Sequence, residues 1–251
     1  MSDELLARVR VVLCRPNHPG NIGATARAMK NMGLSDLRLV APARYPAPEA
    51  EWRATGALDI LGRAQIHTTL IEALNDCDAA FALTARARGW GPQMLPAREG
   101  AREVIGRAVG GPVALVFGNE TAGLTNEETL ACQMLIRIPA NPVHSSLNLA
   151  QAVQVMTYEL RMASADAQAL ASDDPNPIRF PATVADLEGL YAHLDEAGLA
   201  SGFLNPGDPK KLRERWRRLF SRVRLEREEV NILRGLLHAL MRRRGNPDEN
   251  S

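Results

Sequence analysis

The stretch Val113-Ala-Leu-Val-Phe117 carries no polar residue at any position. A strand with one face in water alternates polar and apolar residues, so an uninterrupted run demands cover on both faces. Four more apolar-rich runs lie along the chain, Arg8 to Leu13, Leu37 to Val40, Ala79 to Leu83 and Met134 to Ile138, of which only Ala79 to Leu83 lacks an arginine. Stretches of helical character separate them, at Ile22–Met32, Ala50–Leu61, Thr69–Leu74 and Arg98–Val109. Non-alternating strands interleaved with helices specify an α/β fold with a mostly parallel sheet, covered on both sides. In such sheets ligands bind at the carboxyl ends of the strands. Thr84, Gly118 and Ile138 fall at such ends, and each leads into a polar loop.

The strand from Met134 is followed by Pro139-Ala-Asn-Pro-Val-His-Ser-Ser146 and then by a helix expected to begin near Leu147. Apolar Leu147, Ala150, Val153 and Val155 mark its face, and Ser145 and Ser146 stand where N-caps are expected. A loop of hydroxyls and amides meeting free N–H groups suits a small polar ligand. A plain capped core helix is an equally good account of this stretch taken alone.

Two further motifs bear on that choice. Asn21-Ile-Gly-Ala-Thr-Ala-Arg27 joins the first strand to a helix that Gly33 can close. A dinucleotide site is weak here: the Gly-x-Gly-x-x-Gly order is absent, and the second strand ends Val40-Ala-Pro without an acidic residue for a ribose. The other motif is Phe117-Gly-Asn-Glu-Thr-Ala-Gly-Leu-Thr-Asn-Glu127. Gly118 allows close backbone approach, Glu120 sits in the turn, and Thr125 with Glu128 forms a capping box. Taken singly, Arg27 and Glu120 read as surface residues.

Past Met162 the composition changes. Ala163 to Arg179 contains Ser-Asp-Asp-Pro-Asn-Pro, a linker composition. Helices follow at about Val184–Leu194 after a Thr183 cap, from Asp208-Pro209, and at about Glu226–Arg243. The expected division is an α/β part over 1–165, a linker over 166–180 and a helical part over 181–251, with a disordered tail from Gly245.

The net charge of +1 excludes a strong overall field for nucleic acid, so any cationic surface must be local. Lys210, Lys211, Arg213, Arg215, Arg217 and Arg218 crowd one such stretch. A charge run is usually a solvated face, and Glu214 dilutes this one. The three cysteines form no CxxC pair and read as core residues in a reducing compartment, with no zinc site. The N-terminal Met-Ser-Asp-Glu-Leu-Leu has no basic n-region or apolar h-region, and no stretch suits a membrane span, so the expected location is the cytoplasm.

Asn-x-Gly-x-x-x-Arg, then Gly-x-Glu-x-x-Gly-Leu, then a Pro-rich loop with Ser-x-Asn, occur in this order on an α/β chain. This resembles the SpoU (TrmH-type) branch of the SPOUT methyltransferases, and within it the tRNA ribose 2′-O-methyltransferases. Ala26-Arg-Ala-Met-Lys-Asn-Met-Gly-Leu34 and Leu225-Glu-Arg-Glu-Glu-Val-Asn-Ile-Leu-Arg-Gly235 support the likeness into the C-terminal helices. The resemblance implies a deep trefoil knot, S-adenosylmethionine as cofactor, a homodimer and no metal. It places the cofactor at Leu83, Thr84, Ala85, Gly118, Ile138, Ser145, Ser146 and Leu147. It assigns catalysis and substrate contact to Asn21, Arg27, Glu120, Ser146 and Asn148.

The implied substrate is tRNA, methylated on cytidine or uridine at position 32. Arg86, Arg88, Lys210, Lys211, Arg213 and Arg217 are the expected RNA contacts. His144 departs from the Tyr that related sequences can carry. An rRNA methyltransferase of the same family, a nicotinamide-dependent oxidoreductase and a non-catalytic RNA-binding protein are the alternatives.

Overall fold

The computed structural model describes residues 2–85, 92–167, 180–207 and 211–244. Arg86, Arg88 and Lys210, most of the expected linker, the Asp208-Pro209 cap and the tail from Gly245 lie outside them. Among the described residues a short helix α1 (Ser2–Ala7) leads into β1 (Val9–Cys14). Six residues are too few for a helical period to mark α1 in the sequence.

Helix α2 (Pro19–Met32) follows. Pro19 opens it, where a missing N–H costs nothing, and Gly33 closes it in the left-handed region at φ 84°. Next come β2 (Asp36–Val40), α3 (Pro48–Arg53) and α4 (Leu58–Gly62). The single helix expected over Ala50–Leu61 is thus two, interrupted around Gly56, whose φ of 79° no helix tolerates. The short edge strand β3 (Gln65–His67) was not anticipated.

Helix α5 (Leu70–Leu74) starts from a complete Thr69–Glu72 capping box. Strand β4 (Ala79–Leu83) is as expected, and β5 (Gln93–Pro96) is a second unanticipated strand. They are followed by α6 (Ala97–Ala108), β6 (Val113–Phe117), α7 (Asn126–Leu130) and β7 (Met134–Arg137).

All strand pairings are parallel, in the order β3-β2-β1-β6-β4-β7-β5. Successive residues feed two cores, which explains the uninterrupted apolar runs. Val113, Leu115 and Phe117 of β6 join Val11, Leu13, Phe81 and Ile136 under α2, α6 and the long helix α8 (Leu149–Ala167). Ala114 and Val116 face the other way, with Val12, Ala80, Ala82, Leu74, Cys132 and Leu135. All three cysteines are buried in the second core.

Helix α8 begins two residues later than expected, and neither Ser145 nor Ser146 caps it. Asn148 does: its Oδ1 accepts from the backbone N–H of Ala150 at 3.0 Å and of Gln151 at 3.4 Å. Its buried face runs through Leu149, Val153, Met156, Leu160 and Ala163, while Leu147 and Val155 of the expected face are partly exposed.

The C-terminal helices are α9 (Val184–Ser201), α10 (Leu212–Ser221) and α11 (Arg227–Arg244). Helix α9 starts from a Thr183–Asp186 capping box and runs past Leu194, where the sequence reading stopped it. These helices share a core of Leu187, Leu190, Tyr191 and Val230. They also dock on the sheet domain: Val184 is fully buried in the second core, and its N–H bonds Cys77 O at 2.8 Å.

Candidate functional site

The adjacent strands β6, β4 and β7 end at one edge of the sheet, and a cavity of about 350 Å³ opens there. Strand ends supply Leu83, Thr84, Ala85, Phe117, Gly118, Ile136 and Ile138. The loop after β6 supplies Asn119 to Leu124, the approach to α8 supplies Ser145, Ser146 and Leu147, and the first turn of α8 supplies Leu149 and Ala152. Every residue expected at the cofactor therefore lines this one cavity. Its size suits a small-molecule site, with apolar strand ends opposite hydroxyls and amides.

The loop after β6 owes its shape to two residues. Asn119 Oδ1 accepts from the N–H groups of Thr121 at 3.2 Å and Ala122 at 2.7 Å, a side-chain turn that reading of the sequence missed. A Cβ on Gly118 would run into the backbone of Gly123 and Leu124, so only glycine lets the strand end meet the returning loop.

Glu120 leaves the cavity wall toward the start of α2. Its Oε2 accepts from the N–H of Asn17 at 2.9 Å. Its Oε1 accepts from the N–H of His18 at 3.2 Å and from Asn21 Nδ2 at 2.8 Å. Partial burial pushes this carboxyl up, but the Asn21 amide and the backbone donors outweigh it and hold Glu120 below its ordinary value. The positive end of α2 favours the same ionised state.

The chain of contacts continues, because Asn148 Nδ2 donates to Asn21 Oδ1 at 3.0 Å. Glu120, Asn21 and Asn148 thus form one line from the cavity wall across the start of α2 to the start of α8. Of the expected catalytic set, Ser146 and Glu120 line the cavity, while Asn21 and Asn148 join it through Glu120. Arg27 is not brought in. It lies exposed on α2, outside the cavity wall, about 9 Å along the helix axis from Asn21 by the rise per residue. Exposed His144 is on the same loop as Ser145 and also lies outside the wall.

The basic stretch on α10 is partly spoken for. Arg217 forms a two-bond fork with Glu188, with Nη2 to Oε2 at 2.7 Å. It lies 4.6 Å from the Tyr191 ring centre and donates to Leu130 O at 3.3 Å. Arg213 pairs with Asp195 at 2.7 Å. Both were expected to meet RNA; each pairs with a carboxylate on α9, and the Arg213 side chain stays 57% exposed. Lys211, Arg222 and Arg224 remain exposed. Among the described residues no cluster of His, Cys, Asp and Glu could hold a metal ion, and no helix is long and apolar enough to cross a membrane.

Comparison with known proteins agrees with the geometry. Residues 8–158 match the model of the SpoU rRNA methylase family. Residues 185–249 match that of the C-terminal domain of the tRNA methyltransferase TrmJ. The tRNA (cytidine/uridine-2′-O-)-methyltransferase TrmJ of Klebsiella pneumoniae is 45% identical, over 94% of this chain and 97% of its own. The tRNA (cytidine/uridine/adenosine-2′-O-)-methyltransferase TrmJ of Pseudomonas aeruginosa is 47% identical, over 93% of each chain. The crystal structure of TrmJ from Z. mobilis ZM4 superposes with a TM-score of 0.79 at 34% identity, covering 92% of this chain and 98% of that one.

Proposed function

The chain belongs to the SpoU rRNA methylase family, and from that membership we infer that it transfers a methyl group from S-adenosylmethionine to a ribose 2′-hydroxyl of tRNA. The expected target is cytidine or uridine at position 32 of the anticodon loop. What carries the reading is the end-to-end similarity to two tRNA 2′-O-methyltransferases, together with a C-terminal match to a tRNA enzyme's own domain. That match favours tRNA over rRNA, and the family match leaves no support for the dinucleotide alternative. The proposed organisation is a catalytic part through about residue 165 and a helical part from about 181, working in the cytoplasm.

The cavity fits the cofactor. Leu83, Ile136, Ile138 and Leu147 offer apolar surface for an adenine, and Thr84, Thr121, Ser145 and Ser146 offer hydroxyls for ribose and amino-acid groups. When bound, S-adenosylmethionine supplies an electrophilic methyl on a sulfonium, so the protein's task is positioning and charge.

A guanidinium stays protonated in almost any site, so Arg27 holds the neighbouring phosphate and the oxygen that gains negative charge. Glu120 has three donors fixed on it and is held ionised. Those donors occupy both of its oxygens and weaken it as a base, so it orients Asn21 and the substrate rather than taking the proton. Ser146 and Asn148 fix the loop and the ribose.

We also propose that the protein is a homodimer and that Arg27 reaches the cavity of the second copy. Two observations support this. Arg27 is exposed and joined to its own cavity by no contact among the described residues. Helix α8, which starts at the cavity, leaves Val155, Tyr158 and Met162 partly exposed at spacings of three and four, one apolar stripe without a partner among the described residues.

The test is to incubate the purified protein with unmodified tRNA and methyl-labelled S-adenosylmethionine, then map ribose methylation. Label on the 2′-oxygen at position 32 supports the reading. Label confined to rRNA, or none in any RNA, overturns it.

A further inference from the structure

We propose that Arg15 is a positioning residue for the cofactor cavity, acting through Glu128 and the loop between them; this rests on the cofactor reading above. Arg15 closes β1, and Glu128 lies on α7, 113 residues away. Arg15 Nε donates to Glu128 Oε1 at 3.0 Å, and Arg15 Nη2 donates to Glu128 Oε2 at 2.6 Å. The same Nη2 reaches the Gly123 carbonyl at 3.4 Å. Glu128 Oε2 also accepts from the Thr125 N–H at 2.7 Å, closing the α7 capping box. One guanidinium thus grips both the end of the cavity loop and the cap of the helix that follows it.

The grip is one half of a reciprocal arrangement. The loop after β6 sends Glu120 to the N–H groups of Asn17 and His18. The loop after β1 sends Arg15 back to Gly123 and Glu128. Each loop gives one charged side chain to the other, so residues 118–124 are pinned on both sides. These residues form a continuous part of the cavity wall. Two-bond forks between Arg and carboxylate fix direction as well as distance. The Glu128 side chain is only 13% exposed and that of Arg15 35%, which limits solvent screening of the pair.

The backbone supports a dedicated role. Arg15 has φ 49°, a left-handed conformation uncommon outside glycine and asparagine. A strained position is the natural place for glycine, yet an arginine stands there. Its N–H donates to Val40 O at 2.8 Å, which anchors the strained residue to β2.

The test uses the full chain and calorimetric titration with S-adenosylmethionine and S-adenosylhomocysteine, beside steady-state kinetics on tRNA. Arg15→Asn removes the fork while keeping a residue that tolerates the left-handed region. It should weaken cofactor binding and raise the cofactor KM by about tenfold, with kcat at saturating cofactor changed by no more than about threefold. Arg15→Lys, a point charge without the fork, should fall between the two. Glu128→Gln should weaken binding similarly, and the double variant should lose less than the sum.

Asp76→Asn, at the amino ends of β1 and β2, serves as a destabilised control and should leave cofactor affinity unchanged. Unchanged affinity in Arg15→Asn, or an equal loss in Asp76→Asn, would overturn the proposal. If Arg15→Asn does not fold, Arg15→Lys and Glu128→Gln decide by the same readout. Failure of the wild type to bind either compound would instead count against the cofactor reading itself.

Discussion

Asn148 Nδ2 donates to Asn21 Oδ1 at 3.0 Å, joining the first turns of two helices whose residues lie 127 positions apart. The polarity of this contact is set from both ends. Asn148 Oδ1 faces the N–H groups of Ala150 and Gln151, so its amide nitrogen must point at Asn21. Asn21 must then turn its own nitrogen to Glu120, which as a carboxylate can only accept.

Asn148→Asp tests this polarity. Aspartate caps helices as well as asparagine, so melting should shift by only a few degrees. The carboxylate, however, sets an acceptor against Asn21 Oδ1, and Asn21 must turn its oxygen on Glu120 to escape. Leaving such a contact unpaired costs about 1–3 kcal/mol, so methyl transfer should fall roughly 5- to 150-fold. Wild-type activity in a folded Asn148→Asp protein would show that the line of amides has no part in orienting the site.

How much of this was legible varies with the physics of each element. Strands β4 and β6 were readable to the residue because both faces of a parallel sheet demand apolar side chains. Strands β3 and β5 were not, since edge strands of three and four residues, one ending in Pro96, need only a neighbour's backbone. The start of α8 was misplaced because Ser146 and Asn148 are equally good caps in isolation. The contact with Asn21 decides between them, and it exists only in three dimensions. The cavity wall was legible at Thr84, Gly118 and Ile138 because strand ends converge by topology, and the rest of the expected set came from the family resemblance. The Arg15–Glu128 fork was not, as no periodicity links residues so far apart.

Acid should expose the ion cluster at the amino ends of β1 and β2. The hydrogen bond from Arg38 lowers the Asp76 carboxyl from 3.8 to about 2, against the opposing effect of partial burial and with help from the charges of Arg10 and Arg38. A depressed carboxylate contributes stability in full above its unfolded value and loses it as pH falls through its folded value. The stability difference between wild type and Asp76→Asn should therefore be constant at neutral pH and shrink between pH 3.8 and about 2. Urea midpoints across that range measure it. A difference that stays level throughout would mean that Asp76 is not linked to folding.

The arginines on α10 and in the turn after it should divide into two kinds. Arg217 is forked to Glu188 and packed on Tyr191, so Arg217→Ala should cost about 1–3 kcal/mol of stability while leaving the salt dependence of tRNA binding unchanged. Arg222 and Arg224 are exposed, and replacing each by alanine should lower the salt slope by about 1 with little effect on melting. Binding measured over a salt series, with melting curves alongside, separates the two. A reduced slope in Arg217→Ala without lost stability would return Arg217 to the RNA surface.

The isolation of Arg27 from its own cavity leads to a test by subunit mixing. Arg27→Ala should be inactive with cofactor affinity kept, since among the described residues no contact ties Arg27 to the cavity wall. Leu147→Glu should be inactive for a different reason, because it places a carboxylate and extra bulk in the wall of the cavity proposed to hold the cofactor. Suppose the two variants are unfolded together, mixed in equal amounts and refolded. In a mixed dimer where Arg27 crosses the interface, the intact cavity of one copy receives the intact arginine of the other. One site in each mixed dimer then works, and random pairing in a twofold dimer returns about a quarter of wild-type activity. If Arg27 serves its own chain, every site in the mixture carries one defect and activity stays at the background of the separate variants. That null result, in a mixture whose mixed dimers are confirmed by differential tagging, would move Arg27 back to its own subunit.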